Sequence, residues 1–391
     1  MKDEMRAYLD TPYDRTGTDC LKWDALEQVY GRGDLVAMWV ADMDFPTVPQ
    51  VKEALVRRAE HAIYGYTLGE DATRRAEVGW QARRHGCEID PEWILYSPGV
   101  VDSIFLCVRA LTAEGDGVVI QSPVYGPFYE AIAKFGRRRV DAPLIHDGEG
   151  WAMDFDALER AFEQAGLMIL CSPHNPVGRV WTPEELEKVV SLAAKHGVIL
   201  VADEIHADFV FDGRRHTRIL NVPGAKERAI LLTSPTKSFN LAGLRQSSMI
   251  IPDPDLRKKM AGELSRAHVG ANLFGAVAQV AAYTEGDEWM DAVVEYIQEN
   301  RDFAVRAIHE RLPMLKCAPQ QGTYLLWVDF RGLGMSHEET GRWLVEKAGV
   351  ALTDGLFFGA QGEGWFRINL ATQRANVEKT IDRLVVAVQG R

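Results

Sequence analysis

The sequence predicts an α/β fold with a mostly parallel central sheet in a large domain, followed by a smaller α+β domain at the C-terminus. Two observations carry this. Between about residues 47 and 285, short apolar runs alternate with helix-patterned stretches, the rhythm of strands joined by crossover helices. Beyond a further long helical pattern, the tail carries apolar runs at 323–328 and 365–370 and then one more helix. The large domain is placed at 47–286 and the small one at 287–391, with 1–46 as an N-terminal segment packing with the small domain.

Taken in order, residues 1 to about 45 are mixed and rich in turn signals, including Thr16-Gly-Thr-Asp19 and Ala41-Asp-Met-Asp-Phe-Pro46. Ser97-Pro-Gly99 opens a helix. Four apolar runs follow, each ending in polar residues. Val118-Val-Ile120 leads into Ser122-Pro-Val-Tyr125, and Met168-Ile-Leu170 into Ser172-Pro-His-Asn-Pro-Val-Gly178. Val198-Ile-Leu-Val201 leads into Asp203-Glu-Ile-His206, and Ala229-Ile-Leu-Leu232 into Ser234-Pro-Thr-Lys237. Between the second and third runs, Thr182 reads as an N-cap, Pro183 as the first helical residue and Glu185 as the other half of a capping box. Gly197 closes that helix, which makes a βαβ unit of 167–205. A long helix near 287–311 carries Trp289, Val293, Val294, Ile297 and Ile308 at helical spacing. The last helix covers 374–388.

Composition narrows the function classes. The 391 residues are 47% hydrophobic and 26% charged, an ordinary globular balance that excludes a mostly disordered chain. The net charge of −12 argues against nucleic acid as a partner. The one dense basic cluster, Arg137-Arg138-Arg139, reads as the solvated start of a strand. No run approaches the length of a membrane-spanning helix, and no apolar region follows Met1-Lys-Asp-Glu-Met-Arg, so no signal peptide is expected. Five scattered cysteines form no C-x-x-C pair, which points to reduced thiols and a cytoplasmic setting. Cys171 reads as core, and no spacing resembles a metal site.

In parallel α/β sheets, ligands sit beyond the carboxyl ends of the strands. The four runs therefore present Tyr125, Asn175, Asp203 and Lys237 to one crevice. A lysine amine forms a Schiff base with an aldehyde. A carboxylate keeps a pyridine nitrogen protonated, so that the ring withdraws electrons from an attached carbanion. Asparagine can donate to a phenolic oxygen, and serine and arginine can hold a phosphate. Together these describe a site for pyridoxal 5'-phosphate.

At these residues the sequence resembles the fold-type I, class I/II aminotransferase superfamily over nearly its whole length. Asn175-Pro-Val-Gly178, Asp203, Ser234-Pro-Thr-Lys237 with Arg245, and Phe366-Arg367-Ile-Asn369 match its motifs in order. Lys22-Trp-Asp24, Trp39-Val-Ala-Asp-Met-Asp-Phe45, Tyr64-Gly-Tyr66, Asp203-Glu-Ile-His-Ala-Asp208 and Lys237-Ser-Phe-Asn240 further resemble its MalY/PatB subgroup of carbon–sulfur β-lyases. That resemblance implies the following roles. Lys237 is the Schiff-base lysine and the base for the Cα proton, its amine pKa depressed by Arg245 and the ring cation. Asp203 pairs with the ring nitrogen, Asn175 with the phenolic oxygen, and Tyr125 stacks on the ring. Ser234, Arg245 and the amides of Val100 and Val101 bind phosphate. Tyr66, with Tyr64 as the alternative, reaches the phosphate from a neighbouring subunit, which implies a homodimer with shared sites. Arg367 clamps the substrate carboxylate, and the segment bearing Ala41 and Asp42 closes over it. His206 stands where many aminotransferases have tyrosine, a departure the lyase subgroup shares.

The expected activity is a cystathionine or cysteine-S-conjugate β-lyase, with an aromatic or neutral amino acid aminotransferase as the alternative. A regulator that retains lyase residues is a third reading without a supporting sequence feature. Ser234-Pro-Thr-Lys237 also fits the S-x-x-K of acyl-serine enzymes, but neither S-D-N nor K-T-G occurs in the chain.

Overall fold

The computed structural model describes residues 2–67, 70–148, 150–270 and 272–390. Its centre is a seven-stranded sheet of β1 (Ile94–Ser97), β2 (Gly117–Ile120), β3 (Arg138–Asp141), β4 (Leu167–Cys171), β5 (Ile199–Asp203), β6 (Ala229–Thr233) and β7 (Ser247–Ile250), in the order β1-β7-β6-β5-β4-β2-β3. The pairs from β6 through β3 are parallel, whereas β7 runs antiparallel to both neighbours. The inner strands β2, β4 and β6 are buried at every position, as expected where helices cover both faces of a parallel sheet.

This connectivity builds one functional edge. The carboxyl ends of β1, β2, β4, β5 and β6 all lie there, and so does the amino end of β7. The crossover from β4 to β5 is the helix Pro183–His196, whose Thr182–Glu185 capping box forms in both directions and whose Gly197 takes φ 72°. The left-handed turn lets the chain enter β5 within two residues. Arg138 and Arg139 are exposed on the edge strand β3.

The smaller sheet is antiparallel, with β8 (Lys316–Cys317), β9 (Leu325–Asp329), β10 (Thr353–Asp354) and β11 (Trp365–Asn369) ordered β8-β9-β11-β10. The helix Arg374–Gln389 covers it through Val377, Ile381 and Leu384. The helix Asp287–Arg311 belongs to two cores. Trp289, Met290, Val293 and Ile297 join Trp80, Phe239 and Tyr283 beside the large sheet, while Ala304, Ala307 and Ile308 pack on the small sheet. The segment before residue 46 is divided in the same way. Val36–Ala37 pairs in parallel with Val350–Ala351, whereas Met43 and Phe45 enter the large-domain core.

Among the described residues no helix is long and apolar enough to cross a membrane, and no group of three His, Cys, Asp or Glu is placed to hold a metal ion.

Candidate active site

At the functional edge lies a cavity of about 190 Å³. Asn175, Asp203 and His206 line it from the turns after β4 and β5. Thr236 and Lys237 come from the turn after β6, and Tyr125 precedes the helix Gly126–Lys134. Gly99, Val100 and Val101 close one end, where the helix Val100–Leu111 begins with its free amides. Ala41 closes the top. A larger cleft of about 710 Å³ opens beside residues 82–86 and 207–216, but Lys237, Asp203 and Asn175 do not line it.

Burial governs the electrostatics. It lowers the Lys237 ammonium from 10.5 to about 8; Asp42 opposes that shift, Arg367 adds to it and Asp203 opposes it. The resemblance implied that Arg245, together with the ring cation of the cofactor, depresses it. Arg245 instead sits at the mouth, ion-paired with Asp102 at 3.0 Å, and the displaced solvent does the work. Burial likewise raises the Asp203 carboxyl from 3.8 to about 7, held down only by the Ile205 amide at 3.2 Å and by Lys237. His206 is pushed well below its ordinary value by burial, and by Lys237 and Arg367, so it is a neutral imidazole. Its Nδ1 is buried with no hydrogen-bond partner.

Arg367 lies behind the cavity on β11, 3% exposed. Burial lowers its guanidinium from 12.5 to about 10, which leaves it charged. One Nη donates to Asn175 Oδ1 at 3.0 Å, and the other to the Trp39 carbonyl at 3.1 Å and Thr353 Oγ1 at 3.2 Å. Nε is buried and unpartnered. The Phe358 ring lies 4.9 Å beneath the guanidinium.

Not every residue marked in the sequence reaches the cavity. Ser234 is turned inward: its Oγ donates to the Gln246 carbonyl at 2.6 Å and accepts the Thr236 amide at 3.0 Å. Thr236, two residues on, lines the cavity in its place. The Asp42 side chain turns away to Arg15 at 2.6 Å, so the segment presents Ala41 alone. Tyr66 is fully exposed in the single chain, and Tyr64 donates to the Ala59 carbonyl at 2.6 Å.

Other contributors escaped the sequence. Cys171, the last residue of β4, lines the cavity instead of serving only as core, and its Sγ accepts the Asn175 amide at 3.4 Å. Asp102 orients Arg245. The signal for Thr236 was already present, since it lies inside the Ser234-Pro-Thr-Lys237 motif.

The chain is similar to known proteins over nearly its whole length. The family model for aminotransferase class I and II matches residues 34–384. The cystathionine β-lyase PatB of Bacillus subtilis is 38% identical over 97% of this chain and 99% of its own. The protein MalY of Escherichia coli is 33% identical over 96% and 97%. Cystalysin from Treponema denticola, a solved structure containing pyridoxal 5'-phosphate, superposes with a TM-score of 0.95 at 32% identity, over 98% of each chain. With a family match spanning both sheets and a relative aligned from end to end, this chain belongs to the class I and II aminotransferase family.

Proposed function

We propose that this protein is a pyridoxal 5'-phosphate-dependent carbon–sulfur β-lyase, cleaving the Cβ–S bond of an L-cysteine derivative to a thiol, pyruvate and ammonia. The cavity fits the cofactor. Its buried carboxyl, Asp203, has no cation in hydrogen-bonding contact, its buried imidazole has an unpartnered nitrogen, and its lysine has a depressed amine pKa.

When bound, the cofactor supplies an electron sink for a negative charge at the substrate Cα. Lys237 holds the cofactor aldehyde through Nζ and, once released by substrate, takes the Cα proton at that nitrogen. Asp203 keeps the pyridine nitrogen protonated. Because Asn175 Oδ1 is occupied by Arg367, its Nδ2 is the group left to donate to the phenolic oxygen. Thr236, Arg245 and the Val100 and Val101 amides surround the phosphate position. Arg367 offers its unpartnered Nε to the α-carboxylate, and exchange of the Thr353 bond on the adjacent Nη for the second carboxylate oxygen makes the clamp bidentate.

Elimination is favoured over amino transfer by the relatives: the cystathionine β-lyase at 38% identity carries the reading. Tyr66, exposed in one chain, supports a homodimer in which it completes the partner's phosphate site. Five free cysteines support a reducing, cytoplasmic setting. The test is incubation of the holoenzyme with L-cystathionine and no keto acid. Pyruvate and homocysteine should form together over many turnovers. Amino exchange with a keto acid, and no pyruvate from any cysteine S-conjugate, would replace the lyase by an aminotransferase.

A further inference from the structure

Residues 39–43 cross the top of the cavity, and each of their carbonyls accepts a side-chain hydrogen bond. Trp39 takes Arg367 at 3.1 Å and Thr353 at 2.8 Å. Val40 and Asp42 both take Asn369 Nδ2, at 2.7 and 2.6 Å. Met43 takes Asn240 at 3.0 Å. Ala41, at the midpoint, has two donors on one oxygen: Lys237 Nζ, and the Tyr324 hydroxyl at 2.9 Å. Tyr324 is fully buried immediately before β9, its ring edge-on to His206 at 5.4 Å and to Phe209 at 4.8 Å.

A carbonyl oxygen has two lone pairs. With the phenol on one, a single position remains for Nζ, so the amine is docked by one N–H and its own lone pair is directed elsewhere. An ammonium would gain most from an oxygen free of competing donors, and Tyr324 denies it that. The other charged or titratable groups around Lys237 are Asp203 on β5, Arg367 on β11 and the neutral His206, with Asp42, turned toward Arg15, acting on it only through space.

We propose that Tyr324 is a positioning residue for Lys237, acting through the Ala41 carbonyl. It holds the oxygen that docks the amine whenever the amine is not bonded to cofactor, and it weakens that oxygen's hold on the charged form. The inference rests on Lys237 being the cofactor-binding, proton-transferring lysine.

Tyr324→Phe tests it, because the ring and its packing against His206 and Phe209 stay. In the apoprotein, Lys237 is titrated by trace acetylation with acetic anhydride, read on its own peptide by mass spectrometry. Its midpoint should rise in the variant by roughly half a unit or more, since the freed lone pair favours the ammonium. In the holoenzyme, exchange of the α-proton of L-alanine in D2O is followed by proton NMR. Alanine has no β leaving group, so this readout needs the lysine but not β-elimination. The variant should exchange about threefold more slowly at pH 7 and recover as the pH rises. An unchanged Lys237 midpoint, or a loss of exchange equal at every pH, would reduce Tyr324 to packing and overturn the proposal. Wild-type enzyme that releases pyruvate from no substrate yet exchanges alanine would sink the lyase reading and leave Tyr324 standing. Wild-type enzyme that exchanges nothing would remove the role of Lys237 and this inference with it.

Discussion

Asparagine at position 203 should stabilise the empty protein and disable the loaded one, with a pH dependence that identifies the cause. Burial raises the Asp203 carboxyl from 3.8 to about 7 in the folded chain. Between those values the native state retains a proton that the unfolded state has released, so this group's contribution to stability falls as pH rises through the window. Above pH 7 the native state bears a buried carboxylate that is 5% exposed. A rise of about three units, at roughly 1.36 kcal/mol each, sets a ceiling of about 4 kcal/mol on the cost. The lost attraction to Lys237 trims the gain, whereas the bond from the Ile205 amide survives on the Asn oxygen. Apo Asp203→Asn should therefore melt with wild type near pH 4 and a few degrees higher at pH 8. Subtracting the two melting curves at each pH cancels the other titrating groups. With cofactor bound, the ranking reverses. A neutral amide cannot keep the pyridine nitrogen protonated, and turnover should fall by orders of magnitude. A difference in apo stability that is flat with pH, or a variant less stable than wild type at pH 8, would refute the argument.

Three further outcomes are expected. Lys237→Ala should abolish the yellow cofactor band, and a band still fixed by borohydride would place the imine elsewhere. Arg367→Lys replaces a fork that holds three acceptors by one point charge, so kcat/KM for pyruvate release should fall roughly 100-fold, mainly through KM; an unchanged KM would deny it the substrate carboxylate. If Tyr66 serves the neighbouring subunit, a hybrid of Tyr66→Phe and Lys237→Ala chains has one site with both lesions and one with neither, and should retain about half the activity per dimer. Loss at both sites would return Tyr66 to its own chain.

The parts legible in the sequence are those fixed by local rules. Asn175, Asp203 and Lys237 each follow a wholly apolar run, so their place at a strand end could be read directly. The Thr182–Glu185 capping box and Gly197 announced their helix. What stayed hidden depends on contacts between distant segments. Ser234 and Thr236 look equivalent as phosphate ligands in the sequence, and only the cap geometry buries Ser234 against the Gln246 carbonyl while Thr236, its hydroxyl bonded to that of Ser234 at 2.6 Å, lines the cavity. Periodicity identified the helix near 287–311 but not that its two halves serve different cores. The depression of the Lys237 amine was foreseen, but its source was not, because a neighbouring arginine is visible in a sequence and displaced water is not. Tyr324 carried no signal at all, since its acceptor lies 283 residues away.

That distance has a bearing on how the protein is made. The strap at residues 39–43 leaves the ribosome early, yet Tyr324, Arg367 and Asn369, which fasten it, follow the carbonyls they bind by 283, 328 and 329 residues. A nascent chain that has reached residue 286 already contains Lys237, Asp203 and Asn175 but not the arginine that would hold a substrate. Such a chain also lacks Trp289, Met290, Val293 and Ile297, which complete the core around Trp80 and Phe239, so the lysine turn is in hand before either the core beneath it or the strap above it can close.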